Sequence, residues 1–468
     1  MAGDEREKAH CLVVPAAAQG HFTPLLQFSK RLIPKRIRVT LALTRFIHST
    51  MTVTAQSGIH IDTISDGFDH SGLILQDPEH YSQTFRRVGS ETLTDLIRKQ
   101  SESRHPVHCI IYDASMPWFL DVAKRFGIVG AAFLTQSCAV NAIYYHLREG
   151  TIKRPVVSDP AAGTLVIDGL PPLEVSDLPS FIWDDLHTEF LAAHLRQFSN
   201  DGADWVFCNT VYQLELEAVD WLTKQWLINF RTIGPTIPSF YLDKQIPDDK
   251  DYDISIFNPQ NQTCMNWLQS KPDGSVVYVS FGSLARLSPQ QTEELYFGLK
   301  NSNHYFLWVV RESEVAKLPK EEYLSGEKGL VVSWCSQLQV LASGKVGCFV
   351  THCGWNSTLE ALSLGVPMVA MPECGDQLTN AKFIKDVWKT GVRAEADDGK
   401  GIMWGMIKRE VIERCIREVM EGEETRRNAD KWGKIIKEAV VEGGSSDKNT
   451  EDFATSLINF AETFQFSC

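Results

Sequence analysis

Short runs of apolar residues alternate with longer amphipathic stretches along most of the chain. The apolar runs have the length of buried strands, and the stretches between them have the spacing of helices that bury one face. This alternation predicts an α/β fold with parallel sheets. The first series has predicted strands at Cys11–Pro15, Arg38–Thr44, His108–Asp113 and Val129–Leu134, and helices at Pro24–Leu32, Pro117–Phe126 and Cys138–Arg148.

A second series repeats the alternation after residue 262. Its predicted strands are Ser275–Phe281, Tyr305–Val310, Leu330–Ser333, Val346–Thr351 and Val366–Met371, with a helix at Ser288–Lys300. Residues 236–262 between the two series are rich in proline and acidic residues, which is typical of a linker. We therefore expect one domain at 1–235, a linker at 236–262, a second domain at 263–449, and a C-terminal helix at 450–468 that packs back on the first domain.

Ligands of open α/β sheets bind outside the carboxyl ends of the strands. The cleft between the two expected domains is therefore the predicted place for chemistry. The length of 468 residues suits two domains of ordinary size.

The charge and the cysteines exclude several classes of protein. A net charge of −13, from 59 acidic and 46 basic residues, argues against nucleic acid or an anionic membrane as the main partner. The chain has no run of 18 apolar residues and begins with a charged segment, so we expect no stable membrane insertion and no signal peptide. The 11 scattered cysteines are typical of free thiols in a reducing compartment, which predicts a cytoplasmic location.

A candidate phosphate site follows the predicted strand that ends at Thr351, where the sequence His-Cys-Gly-Trp-Asn-Ser opens a helix. A helix N-terminus preceded by glycine offers unpaired backbone N–H groups and a positive dipole end. Asn356 and Ser357 add side-chain donors, and His352 at the strand end reaches a second phosphate. The segment Ser357-Thr-Leu-Glu360 also fits a capping box, which needs no ligand, so both interpretations stay open at this point.

Two further pairs flank this segment at the same predicted sheet edge. Trp334 and Gln337 follow the preceding strand, and an indole face with a nearby carboxamide suits a nucleobase. Asp376 and Gln377 follow the next strand, and a carboxylate beside an amide suits vicinal sugar hydroxyls. From these residues alone, a core tryptophan and a solvated turn remain the alternatives.

A candidate general base lies near the start of the chain. Thr23 is a predicted helix cap with Pro24 at the first helical position, which places His21 in the preceding loop at the sheet edge. Asp113 ends the third predicted strand at the same edge. A neutral imidazole accepts a proton near neutral pH, and a carboxylate on its other nitrogen fixes its tautomer. A turn histidine and a strand-end cap remain the alternatives.

The stretch from Trp334 to Gln377 resembles the signature box of the plant secondary-product UDP-glycosyltransferases, inverting family 1 enzymes of the GT-B fold. Weaker similarity covers the whole chain, through Gly20-His21, Tyr112-Asp113, Cys208-Asn209-Thr210, Gly234-Pro235 and the sequence VSFGS at 279–283. The sequence ISDGFD at 64–69 is similar to the branch that acts on salicylate, steroids and other small phenolic, carboxylate and thiohydroximate acceptors.

The resemblance implies two Rossmann-like domains that face each other across a cleft, with UDP-glucose as the donor substrate and neither cofactor nor metal. Trp334 would stack on uracil, Gln337 would touch ribose or base, and Glu360 would bind the ribose hydroxyls. Gln377 favours glucose, because glutamine at this position accompanies glucose in the family. The full implied donor set is Ser283, Trp334, Cys335, Gln337, His352, Gly354, Trp355, Asn356, Ser357, Glu360, Asp376 and Gln377.

The resemblance also makes His21 the catalytic base and Asp113 its partner. The implied reaction is a direct displacement that gives UDP and the β-glucoside of a small lipophilic acceptor, such as a phenolic, a flavonoid or a steroid. Candidate acceptor-binding residues are Phe22, Phe85, Met116, Trp118, Gln136, Tyr145, Phe181 and Trp183. Asp251-Tyr252-Asp253 has the shape of a metal-binding DxD motif, but its polar surroundings indicate solvated charge.

The sequence departs from the family box at two places and leaves alternatives open. Cys374 replaces a sugar-side tryptophan, and Ser336 replaces a common proline. An NAD-dependent oxidoreductase lacks support, because no GxGxxG follows a strand. A transferase that forms glucose esters on aromatic carboxylates would depend less on His21, since its acceptor is already ionised. A non-catalytic UDP-sugar binder is the other alternative.

The expected partners are a UDP-sugar and a small acceptor, with no nucleic acid, and the expected state is a monomer.

Overall fold

A computed structural model of the protein describes residues 7–51, 58–71, 77–153, 163–183, 191–192, 194–195, 197–199, 201–226, 229–252, 260–283, 285–319, 328–396 and 405–464. These residues form two parallel sheets, of seven and six strands, with helices packed against them. The predicted α/β architecture with parallel sheets is confirmed. None of the helices in these ranges is long and apolar enough to cross a membrane.

The first sheet has the strand order β3-β2-β1-β4-β5-β6-β7, and all its neighbouring strands are parallel. Its strands are β1 Ala9–Val14, β2 Ile37–Thr44, β3 His60–Ile64, β4 Cys109–Asp113, β5 Val129–Leu134, β6 Trp205–Cys208 and β7 Asn229–Thr232. The central strands are buried on both faces, which explains their continuous apolar runs. The sequence prediction missed β3, β6 and β7.

The helices of this half are α1 Gln19–Leu32, α2 Arg45–Thr50, α3 Pro78–Ser101, α4 Trp118–Arg125, α5 Cys138–Arg148 and α6 Leu216–Gln225. Helix α1 begins at Gln19, before the predicted start at Pro24, so His21 lies in its first turn and not in a loop. Thr23 is not the cap, because its hydroxyl donates to the Gln19 carbonyl at 2.8 Å. Pro24 inside the helix has no N–H, which leaves the Gly20 carbonyl without its helical partner.

The second sheet has the order β10-β9-β8-β11-β12-β13. Its strands are β8 Val276–Ser280, β9 Tyr305–Val309, β10 Gly329–Val332, β11 Val346–Thr351, β12 Met368–Ala370 and β13 Gly391–Arg393. Its helices are α7 Asn261–Gln269, α8 Pro289–Ser302, α9 Gln337–Leu341, α10 Trp355–Leu364, α11 Gln377–Lys382, α12 Arg409–Glu421 and α13 Glu423–Val440. Helix α10 ends at Gly365, whose φ of 69° is the left-handed conformation that closes a helix with little strain in glycine.

The last helix, α14 Ser445–Thr463, crosses back to the first sheet. The Phe453 ring packs on Trp205 and Phe207, with ring centroids 5.3 and 4.8 Å away. The Asn449 side chain donates to the Thr232 carbonyl at 2.8 Å. Helix α14 therefore covers the first sheet, although it follows the second in the chain. The domain boundaries at residues 235 and 262 stay a prediction.

The expected linker differs from a solvated segment over residues 236–252, the longer of its two described parts. The Asp249 side chain is buried and accepts from Lys30 Nζ at 2.7 Å. Tyr252 lines the cleft between the sheets. The interpretation of Asp251 and Tyr252 as solvated charge is therefore wrong, because the segment packs between helices of both sheets. Asp253 lies outside the described residues.

Phe453→Ala tests the packing of α14 on the first sheet. Phe453 is fully buried, so its truncation leaves a cavity and lowers the free energy of unfolding by about 3–5 kcal/mol. Denaturant unfolding measures the change, with Ser456→Ala on the exposed face of the same helix as the control. A loss for Phe453→Ala as small as that of the control would contradict this packing.

Candidate active site

A cavity of about 940 Å³ lies between the carboxyl ends of the two sets of strands. Its wall comes from both sheets, with His21 and Asp113 on one side and the N-terminus of α10 on the other. Its volume is at the upper end of the range for a single small-molecule pocket. The cavity therefore has room for two ligands side by side.

His21 and Asp113 form a direct pair at the wall of the first sheet. His21 Nδ1 lies 2.7 Å from Asp113 Oδ2, and Thr135 Oγ1 lies 3.3 Å from the same nitrogen. The other oxygen, Asp113 Oδ1, accepts from the Ser115 backbone N–H and hydroxyl at 2.9 and 2.5 Å. Asp113 is buried, whereas the His21 side chain keeps 37% of its surface exposed. With Nδ1 engaged, Nε2 is the imidazole nitrogen left for a ligand.

The two side chains shift each other's pKa in opposite directions. Burial raises the pKa of Asp113, but the His21 imidazole and the Ser115 hydrogen bonds outweigh it, and the pKa is lowered overall. Burial lowers the pKa of His21, but the Asp113 carboxylate outweighs it, and the pKa is raised overall. An ionised Asp113 bonded to Nδ1–H holds the tautomer in which Nε2 accepts a proton.

Two contacts join α10 to the first sheet. The Asn356 side-chain amide donates to the Gly20 carbonyl, which Pro24 leaves without a helical partner, at 2.8 Å. The Trp355 indole N–H donates to the Asn209 carbonyl at 2.6 Å, and its ring is buried. Trp355 therefore lines the cavity with its N–H already used, and it fixes α10 relative to the first sheet.

The N-terminus of α10 opens on the cavity without a side-chain cap. Its N-cap is Gly354, so Ser357 is the third residue of the helix and cannot act as the cap. The Ser357 hydroxyl instead accepts from Gln337 Nε2 at 2.9 Å. The capping-box interpretation is therefore wrong. The first N–H groups of α10 have no intrahelical partner, which suits an anion.

His352 stands at the end of β11 between two glycines. A Cβ at Gly354 would lie 2.5 Å from His352 Nε2, and a Cβ at Gly282 would lie 2.9 Å from the same ring. Both positions therefore need glycine for the imidazole to pack there. Burial lowers the pKa of His352 to about 4, so the ring is neutral at physiological pH. A neutral imidazole beside a helix N-terminus can donate to a phosphate.

A hydrogen-bonded carboxylate lies further along the same wall. Glu360 Oε2 accepts from Gln337 Nε2 at 2.7 Å, and Glu360 Oε1 accepts from the Tyr252 hydroxyl at 2.6 Å. Burial raises the pKa of Glu360 to about 7, while these two hydrogen bonds act in the opposite direction. Trp334 lines the cavity with them. The group offers an aromatic face beside acceptor oxygens, which suits a nucleoside.

Asp376 and Gln377 stand at the start of α11, and Asp376 is near enough to His21 for their charges to interact. Gln377 Oε1 accepts from the backbone N–H groups of Glu373 and Cys374 at 2.8 and 3.1 Å, which leaves its NH₂ group for a ligand. Burial raises the pKa of Asp376 to about 6, and the nearby His21 lowers it. Asn380 Nδ2 donates to Asp376 Oδ2 at 2.9 Å. The pair thus presents a donor and an acceptor to one ligand.

The cavity brings together every predicted residue of the donor set and both predicted catalytic residues. Five predicted acceptor residues also line it, namely Phe85, Met116, Trp118, Gln136 and Phe181. Three are not among its described lining residues. Phe22 packs on the opposite side of α1 with Leu43 and Ile47, the Tyr145 ring packs on Trp221 at 5.3 Å, and Trp183 packs against the hydrophobic core.

The reason for the first two errors is helix rotation. Phe22 follows His21 and points away from the cleft, and Tyr144 lines the cavity in place of Tyr145. The prediction also missed other lining residues: Tyr81, Ser115, Thr135, Tyr144, His194, Tyr252, Tyr278, Ser280, Arg286 and Glu373. Ser115 could have been predicted from the sequence, because an aspartate side chain often accepts a hydrogen bond from the backbone N–H two residues later. Most of the others come from separate segments whose proximity no local pattern shows.

Comparisons with known proteins agree with this geometry. A family model described as "UDP-glucoronosyl and UDP-glucosyl transferase" matches residues 201–442. Mogroside I-E synthase from Siraitia grosvenorii is 46% identical over 461 residues, which cover 97% of this chain and 99% of that protein. Flavonol 7-O-beta-glucosyltransferase UGT74F1 from Arabidopsis thaliana is 46% identical over 465 residues, which cover 97% of this chain and 99% of that protein.

Solved structures share the whole architecture. Os79 from O. sativa in complex with UDP superposes with a TM-score of 0.87 at 37% identity, over 96% of this chain and 100% of that one. Phytolacca americana UGT2, complexed with UDP-2fluoro-glucose and pterostilbene, gives a TM-score of 0.78 at 26% identity, over 96% and 99% of the two chains. The predicted GT-B fold is confirmed by these similarities. The described residues contain no cluster of three or more side chains suited to a metal ion.

The pKa of His21 tests the pair directly. We expect NMR titration of the imidazole protons to give a pKa for His21 above the ordinary value of 6.5, because Asp113 stabilises the protonated ring. In Asp113→Asn the carboxylate is lost and the pKa of His21 falls. His21→Ala assigns the signal. A pKa that is the same in the wild type and in Asp113→Asn would contradict the electrostatic coupling.

Proposed function

We propose, from the premise that the chain belongs to the UDP-glycosyltransferase family, that it transfers glucose from UDP-glucose to a hydroxyl group of a small lipophilic acceptor with inversion. The observation that carries the proposal is the placement of the His21–Asp113 pair across one cavity from the N-terminus of α10. A base and an anion site that face each other are what a direct displacement of a diphosphate needs.

The donor lies along the wall of the second sheet in this proposal. The uracil stacks on Trp334, and the ribose hydroxyls donate to Glu360 beside Gln337. The diphosphate takes the N-terminus of α10, with donors from Ser357 and the neutral His352. Asp376 and Gln377 hold the sugar, which places its anomeric carbon towards His21. The contacts of Gln337 with Glu360 and Ser357, and of Asn380 with Asp376 and the Cys353 carbonyl, support this arrangement.

In the reaction, the acceptor hydroxyl gives its proton to His21 Nε2 as its oxygen attacks the anomeric carbon. The bond from that carbon to the diphosphate breaks, and UDP leaves with the electron pair. Asp113 stabilises the imidazolium that forms, since its carboxylate is bonded to Nδ1–H. The helix N–H groups stabilise the charge on the leaving diphosphate. Attack opposite the leaving group converts the α-linked donor into a β-glucoside.

The acceptor end of the cavity supports a neutral, largely apolar substrate. Its lining near His21 is mostly aromatic and aliphatic, from Tyr81, Phe85, Met116, Trp118, Tyr144 and Phe181. The described lining residues include one arginine, Arg286, and no lysine. Arg286 belongs to the half that carries the second sheet. Apart from His21 itself, a carboxylate acceptor would find no cationic side chain there among the described lining residues, so we favour a hydroxyl acceptor over the ester-forming alternative. A flavonol enzyme among the relatives is in keeping with this chemistry.

His21→Ala tests the proposed base. We expect the wild type to release UDP and add one hexose to members of a panel of phenols, flavonoids, steroids and aromatic acids. Loss of a positioned general base lowers kcat for hydroxyl acceptors by about 10²–10⁴-fold. His48→Ala, an exposed histidine, is the control. Full activity of His21→Ala would contradict the role of the base, and turnover of carboxylic acids alone would favour ester formation.

The sugar preference tests Gln377. The fixed amide leads us to expect kcat/KM for UDP-glucose to exceed that for UDP-galactose by at least about tenfold, because an inverted hydroxyl leaves the Gln377 amide unpaired. Gln377→Ala should lower kcat/KM for UDP-glucose while the affinity for UDP stays unchanged, since the amide contacts only the sugar. A parallel loss of UDP affinity would contradict this placement.

A further inference from the structure

We propose that Tyr252, in the segment between the two sheets, is a donor-positioning residue whose hydroxyl holds the Glu360 carboxylate ready for the ribose hydroxyls of the UDP-sugar. The proposal rests on the proposed function, because it assumes that the nucleotide binds along this wall. It adds a residue from outside the stretch between Trp334 and Gln377. Its basis is the contact between the two side chains within the cavity.

Tyr252 and Gln337 each donate a hydrogen bond to a different oxygen of the Glu360 carboxylate. The Tyr252 hydroxyl donates to Oε1 at 2.6 Å, and Gln337 Nε2 donates to Oε2 at 2.7 Å. A carboxylate has about four acceptor positions, so each oxygen keeps capacity for one more donor. Two ribose hydroxyls can therefore bind while both protein contacts persist. Because the plane of the carboxylate is fixed before the ligand arrives, less conformational freedom is lost on binding.

Ion pairs with helix α1 hold the segment that leads to Tyr252. Lys30 and Arg31, in the last turn of α1, bond Asp249 and Asp243 at 2.7 Å each. Asp249 also accepts from the Ser239 backbone N–H at 2.5 Å. These groups are largely buried, so the segment has a defined path up to Tyr252. It therefore acts as part of the site wall.

The other anchor of the segment is on the second sheet. Gln339 Nε2 donates to Asp251 Oδ2 at 3.3 Å, one residue before Tyr252. Helix α9 thus supplies Gln337 to Glu360 and Gln339 to the segment. Helix α1 carries His21 in its first turn and the two basic residues in its last turn. The segment consequently connects the helix that bears the base with the ribose end of the donor site.

The ionisation of Glu360 makes the affinity for UDP depend on pH, and loss of the Tyr252 hydroxyl should shift that dependence. The groups that face it are the carboxylate of Asp251 and the phenols of Tyr241, Tyr252 and Tyr278. Burial raises the pKa of Glu360 to about 7, and the Tyr252 hydrogen bond opposes that rise. Removal of the hydroxyl therefore raises the pKa further. Since the ionised form accepts the ribose hydroxyls, UDP affinity falls as pH drops through this pKa, and in the variant the fall begins at a higher pH.

Calorimetric titration of the full-length protein with UDP tests the proposal on Tyr252→Phe, which keeps the ring and removes only the hydroxyl. We expect UDP to bind about tenfold more weakly at neutral pH, because a hydrogen bond to a charged group is lost. We expect kcat at saturating UDP-glucose to stay within about twofold, since the base is untouched. Tyr241→Phe is the matched control, because its hydroxyl makes no hydrogen bond to Glu360 among the described residues.

A double-mutant cycle shows whether Tyr252 acts through Glu360. In a Glu360→Gln background, Tyr252→Phe should change UDP affinity by less than about twofold, because the charged acceptor is already absent. Equal UDP affinity of the wild type and Tyr252→Phe, or an unshifted pH profile, would overturn the positioning role. Tighter binding would overturn it too, because Tyr252 would then obstruct the ribose. Failure of the wild type to bind UDP would instead refute the proposed function, and the inference with it.

Discussion

The site depends on the contacts that hold the edges of the two sheets against each other. Asn356 reaches the Gly20 carbonyl, the Trp355 indole bonds the Asn209 carbonyl, and the Trp388 indole bonds the Leu214 carbonyl at 3.0 Å. His21, the proposed base, stands on α1 beside the first sheet, and the proposed anion site is the N-terminus of α10 at the second. Because reacting groups must meet within about 3–3.5 Å, a shift of one sheet by a single ångström would separate them. The proposed reaction therefore depends on the contacts between the two halves.

The electrostatics of the cavity explain how an acidic chain accommodates a nucleoside diphosphate. Burial raises the pKa of Glu360 to about 7 and that of Asp376 to about 6, so Glu360 in particular is only partly ionised at neutral pH and the negative charge of the site is reduced. His352 is neutral, and the N-terminus of α10 supplies the positive potential. Asp113, whose pKa is lowered, keeps its charge where it stabilises His21. The local field thus matters more than the net charge of −13.

The donor site was predictable because its residues lie close together in the chain and follow buried strands that are continuous apolar runs, such as β8 and β11. Three of the missed strands, β6, β7 and β13, have only three or four residues, and such short runs carry little pattern. The start of α1 was misplaced, because Pro24 mimics a first helical position but lies inside the helix. The acceptor side was only partly predictable, since rotation about a helix decides between Tyr144 and Tyr145. Tyr252 was wrongly assigned to a solvated segment, because its neighbours in the sequence are acidic.

The stereochemistry of the product tests the central claim, that the acceptor oxygen beside His21 attacks from the face opposite the diphosphate on α10. The measurement is the NMR coupling constant of the anomeric proton in the isolated glucoside. The glucoside is made from α-linked UDP-glucose and is measured before it can change without the enzyme. The account predicts a β-glucoside. An α-glucoside would contradict it, because retention requires a different arrangement of nucleophile and leaving group.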